Sequence, residues 1–284
     1  MMIVGAYVGF SKLLVAVFPV FLLAWLRFGI AAVAMCTWLK TAPNTPPLDT
    51  RTRYLVFLES FLGNFLFSIC MLFGMLHATA ISAGVIMAGI PAAVALLSRF
   101  FLNERLSLRM ITAIALGVAG IAVLGVSRGG NDDGATSLLG TLLLVGAVFC
   151  EASYVVIGKR LTGQLSPKRI SALINLWGLL LVTPFGAYAA WSFDFAAVSA
   201  SIWSGLVLYA LSASMWTVWL WMTGLKTVPA AKAGMFTVFL PITSALVGVV
   251  FLGEVFTLAH AVAFACAMAG VVLATWPTTT TTSI

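Results

Sequence analysis

The sequence predicts an all-α integral membrane protein with ten transmembrane helices, arranged as two inverted five-helix repeats. Three observations carry this. Of the 284 residues, 62% are hydrophobic and only 8% are charged, whereas a soluble domain carries about 25% charged residues. One stretch, 74–124, recurs without a gap as 224–274, a constant 150 residues later. Finally, twelve of the fifteen Lys and Arg residues gather at one set of span ends once the N-terminus is placed in the cytoplasm. That is the positive-inside bias.

The spans follow in order, each needing about 20 mostly apolar residues. The stretch 1–17 is apolar but short. Spans are then expected at 19–39, 53–75, 80–102 and 107–126, with a polar loop at 40–52. The Gly/Asp-rich stretch 127–136 is the expected boundary between halves. The second half gives spans at 137–158, 167–190, 201–225, 229–252 and 257–276. The apolar runs are continuous and do not alternate, which argues against a barrel. The domain reading is a first repeat at 1–127, a second at 137–276 and a disordered Thr-rich tail at 277–284. Tyr7 and Lys12 align with Tyr154 and Lys159, and in that register the first helix is short by about a dozen residues. A start codon placed too late and a stunted first helix are both open.

Five spans per half is an odd number, so the halves must insert in opposite senses. The repeat shows this in its charges. The turn RFFLNERLSLR of the first copy carries three arginines, and the matching VVFLGEVFTLAH carries none. Lys226 and Lys232 stand where the first copy has Leu76 and Ser82. Inverted repeats of this kind are a signature of secondary transporters. The net charge of +7 is therefore a topology signal, and no nucleic-acid partner is expected. Cys36, Cys70, Cys150 and Cys266 lie in apolar runs without CxxC spacing, so no metal site is expected.

Both copies share a Pro in mid-span (Pro91, Pro241), a short turn ending in Glu (Leu102-Asn103-Glu104, Leu252-Gly253-Glu254) and a Gly-containing helix (Gly117/Gly120, Gly270). This resembles the EamA-type module of the drug/metabolite transporter superfamily. The opening segment with Lys12 and the LLAWLRFGIAA stretch with Arg27 are similar to the family's first two helices. Asn103 in place of the turn Gly and Ala267 in place of a second helix Gly are departures. The resemblance implies a central cavity between pseudo-symmetric halves and alternating-access transport of a small organic solute, often outward.

Pro91 and Pro241 are hinge candidates, since Pro removes a backbone donor and kinks a helix; a static packing kink is the other reading. Glu104 and Glu254 are expected to bind backbone amides at the start of the following helix, with Ser107 and Thr257 as caps. Glu59 and Glu151 lie at span depth, where a carboxylate is costly and faces a cavity or a partner. They are candidates for substrate recognition or proton coupling, or for structural pairs with Arg27, Lys12 or Tyr154. Arg27 and Lys12 are the intramembrane charges. Tyr7, Tyr154 and Asn64 could line the cavity or bond between helices. Trp216, three residues before Trp219, could form an aromatic wall or an interfacial belt.

The expected function is a secondary active transporter of a small organic metabolite or drug in the inner (plasma) membrane, multi-pass, with both termini cytoplasmic. A non-transporting sensor or scaffold, and a membrane enzyme on a lipid-linked substrate, are the alternatives. No catalytic residue and no cofactor is expected, and coupling to protons or another ion is open. The partners are a small-molecule substrate and the bilayer, with monomer and homodimer both allowed.

Overall fold

The computed structural model describes residues 1–40, 47–102, 108–126, 136–227, 236 and 239–275. The 103–107 turn with Glu104 and Ser107, the 127–135 boundary and the 277–284 tail lie outside them.

The described elements are helical, and long apolar runs are the reason: a bilayer core offers backbone groups no water, so they must bond within the segment. The first half contains α1 (Met2–Val15), α2 (Val20–Ala34), α3 (Thr50–Ser60), a π segment (Phe61–Leu66), α4 (Phe67–Leu76), α5 (Ala80–Met87), α6 (Ile90–Leu102) and α7 (Leu108–Val126). The second contains α8 (Leu138–Leu161), α9 (Pro167–Trp191), α10 (Ala200–Ala210), a π segment (Leu211–Trp216), α11 (Thr217–Thr227), α12 (Phe239–Leu252) and α13 (Leu258–Thr275). Among the described residues, four helices are long and apolar enough to cross a membrane: 50–76, 138–161, 167–191 and 200–227. Six shorter apolar helices accompany them. Among them, α1 and α12 have 14 residues each and reach about 21 Å at 1.5 Å per residue. Outward-facing Leu108 and Leu258 are each 82% exposed, as suits a lipid-facing surface.

Polar caps close several helices. Ser137 accepts from the Gly140 amide at the start of α8, Thr79 from the Ser82 amide at the start of α5, and Thr257 from the His260 amide at the start of α13. The expected continuous helix over 80–102 is instead broken at Ala88–Gly89, between α5 and α6. Pro91 explains the break, because its ring nitrogen cannot donate to the carbonyl four residues back. Pro91 therefore sits in the first turn of α6 rather than at a mid-helix kink. Pro241 likewise sits near the start of α12, buried against α5.

The halves are joined by reciprocal contacts. In the seam between α7 and α13, a Cβ on Gly120 would lie 2.9 Å from the Ala263 carbonyl oxygen, and a Cβ on Gly270 would lie 3.0 Å from that of Ala113. Each glycine and each alanine is 150 residues from its counterpart, so the seam meets itself as a two-fold interface does. Gly117, one turn before Gly120, has nothing within 4 Å of an added Cβ. Helices α2 and α9, which also run side by side, are joined by Asn175 Nδ2 donating to the Phe28 carbonyl at 2.9 Å and Trp25 Nε1 to Thr183 Oγ1 at 3.2 Å.

Gly120→Val is expected to cost about 1–3 kcal/mol through overpacking of the α7–α13 seam, and Gly117→Val close to nothing. Thermal unfolding of the two variants in detergent, followed by size-exclusion chromatography, separates them. Equal midpoints would contradict the assigned packing.

Candidate functional site

A cavity of about 430 Å³ lies at the centre of the bundle. Its walls come from both halves: Val4 and Tyr7 of α1, Arg27 of α2, Glu151 and Tyr154 of α8, and Thr217 and Trp221 of α11. Gly63 and Asn64 come from the first π segment and Ala213 from the second. The two π segments occupy equivalent positions, 61–66 and 211–216, again 150 residues apart. A π turn widens a helix by one residue and releases it from the regular bonding pattern, which is why such turns gather at functional sites. Here each one interrupts a long helix where it borders the cavity.

Arg27 is 3% exposed and is held by neutral groups. Its Nη2 donates to Ser68 Oγ at 2.5 Å and to Asn64 Oδ1 at 3.5 Å. Ser68 in turn donates to the Asn64 carbonyl. Asn64 Nδ2 donates to the Ile174 carbonyl at 3.1 Å, and Ser60 Oγ donates to the same oxygen at 2.6 Å. The guanidinium also lies over the Phe28 ring, 4.3 Å from its centroid, and beside the Tyr209 hydroxyl. The sequence reading offered Arg27 as a partner for Glu59 or Glu151; the described hydrogen bonds run to Ser68 and Asn64 instead. Arg27 Nε has no hydrogen-bond partner among the described residues.

The two carboxylates occupy different settings. Glu151 keeps part of its surface open to the cavity, with Tyr154 one turn further along the same face of α8. Glu59 is fully buried behind the wall, and neither of its oxygens has a partner among the described residues. Gly158 makes room for it, since a Cβ there would lie 2.8 Å from Glu59 Oε1. Tyr154 and Glu151 are within electrostatic range of Glu59. Of the cavity-lining residues, the Tyr154 hydroxyl, Thr217 Oγ1 and Trp221 Nε1 are also buried without a hydrogen-bond partner among the described residues. So much unspent hydrogen bonding around one space is costly in an apolar medium unless a ligand or water uses it.

The structure thus brings Tyr7, Arg27, Asn64, Glu151 and Tyr154 together and places Glu59 behind them. It does not place Trp216 in the wall: that side chain is half-exposed, and Trp221 lines the cavity instead. Trp219 packs on Trp38, with centroids 5.9 Å apart, and Lys168 stands over both rings, as in an interfacial cluster. Lys12 and Glu254 lie outside the cavity and touch each other at 3.4 Å. Glu254 binds backbone amides as expected, but those of Ala80 and Ile81 at the start of α5, not those of the helix that follows it. Sequence reasoning missed Thr217, Ser214 and Tyr209, and singled out Trp221 only as part of the aromatic run with Trp216 and Trp219. The 150-residue register carries the signal for two of them, because Tyr209 stands opposite Glu59 and Ser214 opposite Asn64. Among the described residues, no group of three His, Cys, Asp or Glu is placed to hold a metal ion.

Bundle, cavity and repeat together define a membrane protein of the transporter type. The chain belongs to the EamA-like transporter family, whose model matches residues 1–126 and again 138–276. It is 34% identical over 273 residues to the uncharacterized transporter YetK of Bacillus subtilis (strain 168), covering 95% of this chain and 83% of that one. It is 21% identical to the uncharacterized transporter YyaM of the same organism, over 86% of this chain and 80% of that one. A crystal structure of a protein 20% identical shares the fold, with a TM-score of 0.62 over 96% of this chain and 94% of that one.

Asn64→Leu is expected to destabilise the protein by about 1–3 kcal/mol, because it strips Arg27 and the Ile174 carbonyl of a partner without supplying another. A thermal midpoint in detergent equal to that of the parent would show that the Arg27 network is dispensable.

Proposed function

We propose that the protein is a secondary active transporter that moves a small organic metabolite or drug outward across the inner (plasma) membrane by alternating access. In this reading ten spans form two inverted five-helix repeats, with both termini in the cytoplasm. The reciprocal Gly120–Ala263 and Gly270–Ala113 contacts and the twelve basic residues at one set of span ends support that arrangement. The single observation that carries the function is the cavity. It is walled by both halves, bordered by two π segments in equivalent positions, and lined in part by Tyr154, Thr217 and Trp221, whose polar atoms have no hydrogen-bond partner among the described residues. Its volume suits a solute of metabolite size.

Glu151 is the group assigned to contact solute and couple its movement to protons, because it is the acid with surface in the cavity. Arg27 and Asn64 fix the opposite wall. The aromatic surfaces of Tyr7, Tyr154 and Trp221 supply apolar contact. Bending at the π segments and at the α5–α6 break lets the helices rock about the cavity while their backbone bonds stay satisfied.

The test is reconstitution into proteoliposomes on a sensor membrane, with a pH step applied in the presence of amino acids, nucleosides and amine drugs in turn. At least one solute is expected to give a current, and Glu151→Gln is expected to lower it by more than tenfold while the protein stays folded. A current unchanged in Glu151→Gln would remove the coupling role. Silence across the whole panel would contradict the transport reading.

A further inference from the structure

We propose that the Lys12–Glu254 contact is a latch that holds one mouth of the cavity shut, and that its release lets α1 part from the α5–α12 corner. The inference rests on the transport reading of the cavity and assigns the residues that control access to it.

Glu254 sits in the turn between α12 and α13. Its Oε1 accepts from the Ala80 amide at 2.7 Å and its Oε2 from the Ile81 amide at 3.0 Å, so the carboxylate is seated on the first turn of α5. Charge-assisted bonds at a helix N-terminus are strong and are reinforced by the helix dipole. Ser244 Oγ of α12 donates to the Ala80 carbonyl at 2.7 Å. The end of α12 is shaped for this: Gly253 has φ +65°, Glu254 N donates to the Gly248 carbonyl at 2.9 Å, and a Cβ on Gly248 would lie 2.6 Å from Glu254 Oε2. The start of α5 and the α12–α13 turn therefore form one firm corner.

Lys12 of α1 reaches that corner from the side. Its Nζ donates to the Ala78 carbonyl at 2.8 Å and meets Glu254 Oε1 at 3.4 Å. Its side chain is 35% exposed whereas that of Glu254 is 10% exposed. The corner is thus nearly buried and multiply bonded, while Lys12 is about one-third exposed, and an ion pair with an exposed partner is weaker than a buried one. Between the latch and the cavity, α1 lies flush on α12. A Cβ on Gly9 would fall 2.5 Å from Val247 Cγ1, so no side chain of Gly9 interlocks the two helices. Lys12 is five residues beyond Tyr7, which lines the cavity, and so lies about 8 Å further along the helix. The contact stands beyond the lined space, toward the C-terminal end of α1. Besides the Phe10–Phe251 ring contact, with centroids 5.4 Å apart, the Lys12 bonds are the polar contacts described between α1 and this corner, and an ion pair open on its Lys12 side is easier to part than one buried on both sides.

The test uses the full chain in sealed vesicles, with Cys36, Cys70, Cys150 and Cys266 replaced by Ser and Val4→Cys as a reporter on the cavity wall. A membrane-impermeant maleimide is applied from the face on which Lys12 lies. Labelling is expected to be slow in this background and about tenfold faster in Lys12→Gln and in Glu254→Gln, with Lys12→Arg keeping the slow rate. Oxidising a Lys12→Cys/Glu254→Cys pair is expected to abolish labelling from that face and to preserve it from the other, with reductant reversing the effect. Unchanged labelling in both Gln variants, or labelling from the Lys12 face that persists in the cross-linked protein, would overturn the latch. Failure of every solute to give a current in the unmodified protein would sink the transport reading and leave the labelling result standing.

Discussion

A polar side chain in the core of a bilayer has no water to fall back on, so it must find partners within the protein or face a space that contains them. Everything particular about this molecule follows from how that constraint is met. Arg27 meets it with Ser68 and Asn64, and Asn64 in turn with the Ile174 carbonyl. Asn175 meets it on the Phe28 carbonyl. These bonds tie α2 to the first π segment and to α9, and they set the frame of the cavity. The groups that do not meet it, among them Glu59, Tyr154, Thr217 and Trp221, mark where the protein leaves hydrogen bonding for something else to use.

The duplication supplies a second layer of logic. Contacts that recur at a 150-residue spacing are structural: the two π segments, and the glycine seam between α7 and α13. Where the copies differ, the residue chemistry around the cavity differs too. Glu59 stands opposite Tyr209, Asn64 opposite Ser214, and Phe67 opposite Thr217. At these paired positions one half thus holds an acid and an amide where the other holds a phenol and a hydroxyl, and of them Asn64 and Thr217 line the cavity. A symmetric frame with an asymmetric lining can move between two related shapes and still present its solute with a single set of contacts.

Much of this was legible in the chain before any coordinates. Low charge, continuous apolar runs and the repeat gave the class and the helical architecture. Span depth was enough to single out Tyr7, Arg27, Asn64, Glu151 and Tyr154, because a polar residue so placed has few alternatives to a cavity or a partner. What remained hidden depends on which side of a helix a residue faces and on local winding. The π segments carry no Pro or paired Gly to betray them, and they turn Trp221 inward and leave Trp216 half-exposed. The Pro91 break was visible as a kink, but its position one turn earlier was not. Glu254 was assigned the right kind of partner on the wrong helix, because a backbone amide 174 residues away leaves no trace in local sequence.

The account stands on the two ends of the bundle opening in alternation. Double electron–electron resonance in lipid nanodiscs reads this directly, with one spin-label pair at Val17 and Phe256 near Lys12 and a second at Gln164 and Thr227 at the opposite end. The account predicts two distance populations at each end, with the longer one at the first pair rising as the longer one at the second falls when pH is varied. A single, pH-independent distance at both ends would contradict it.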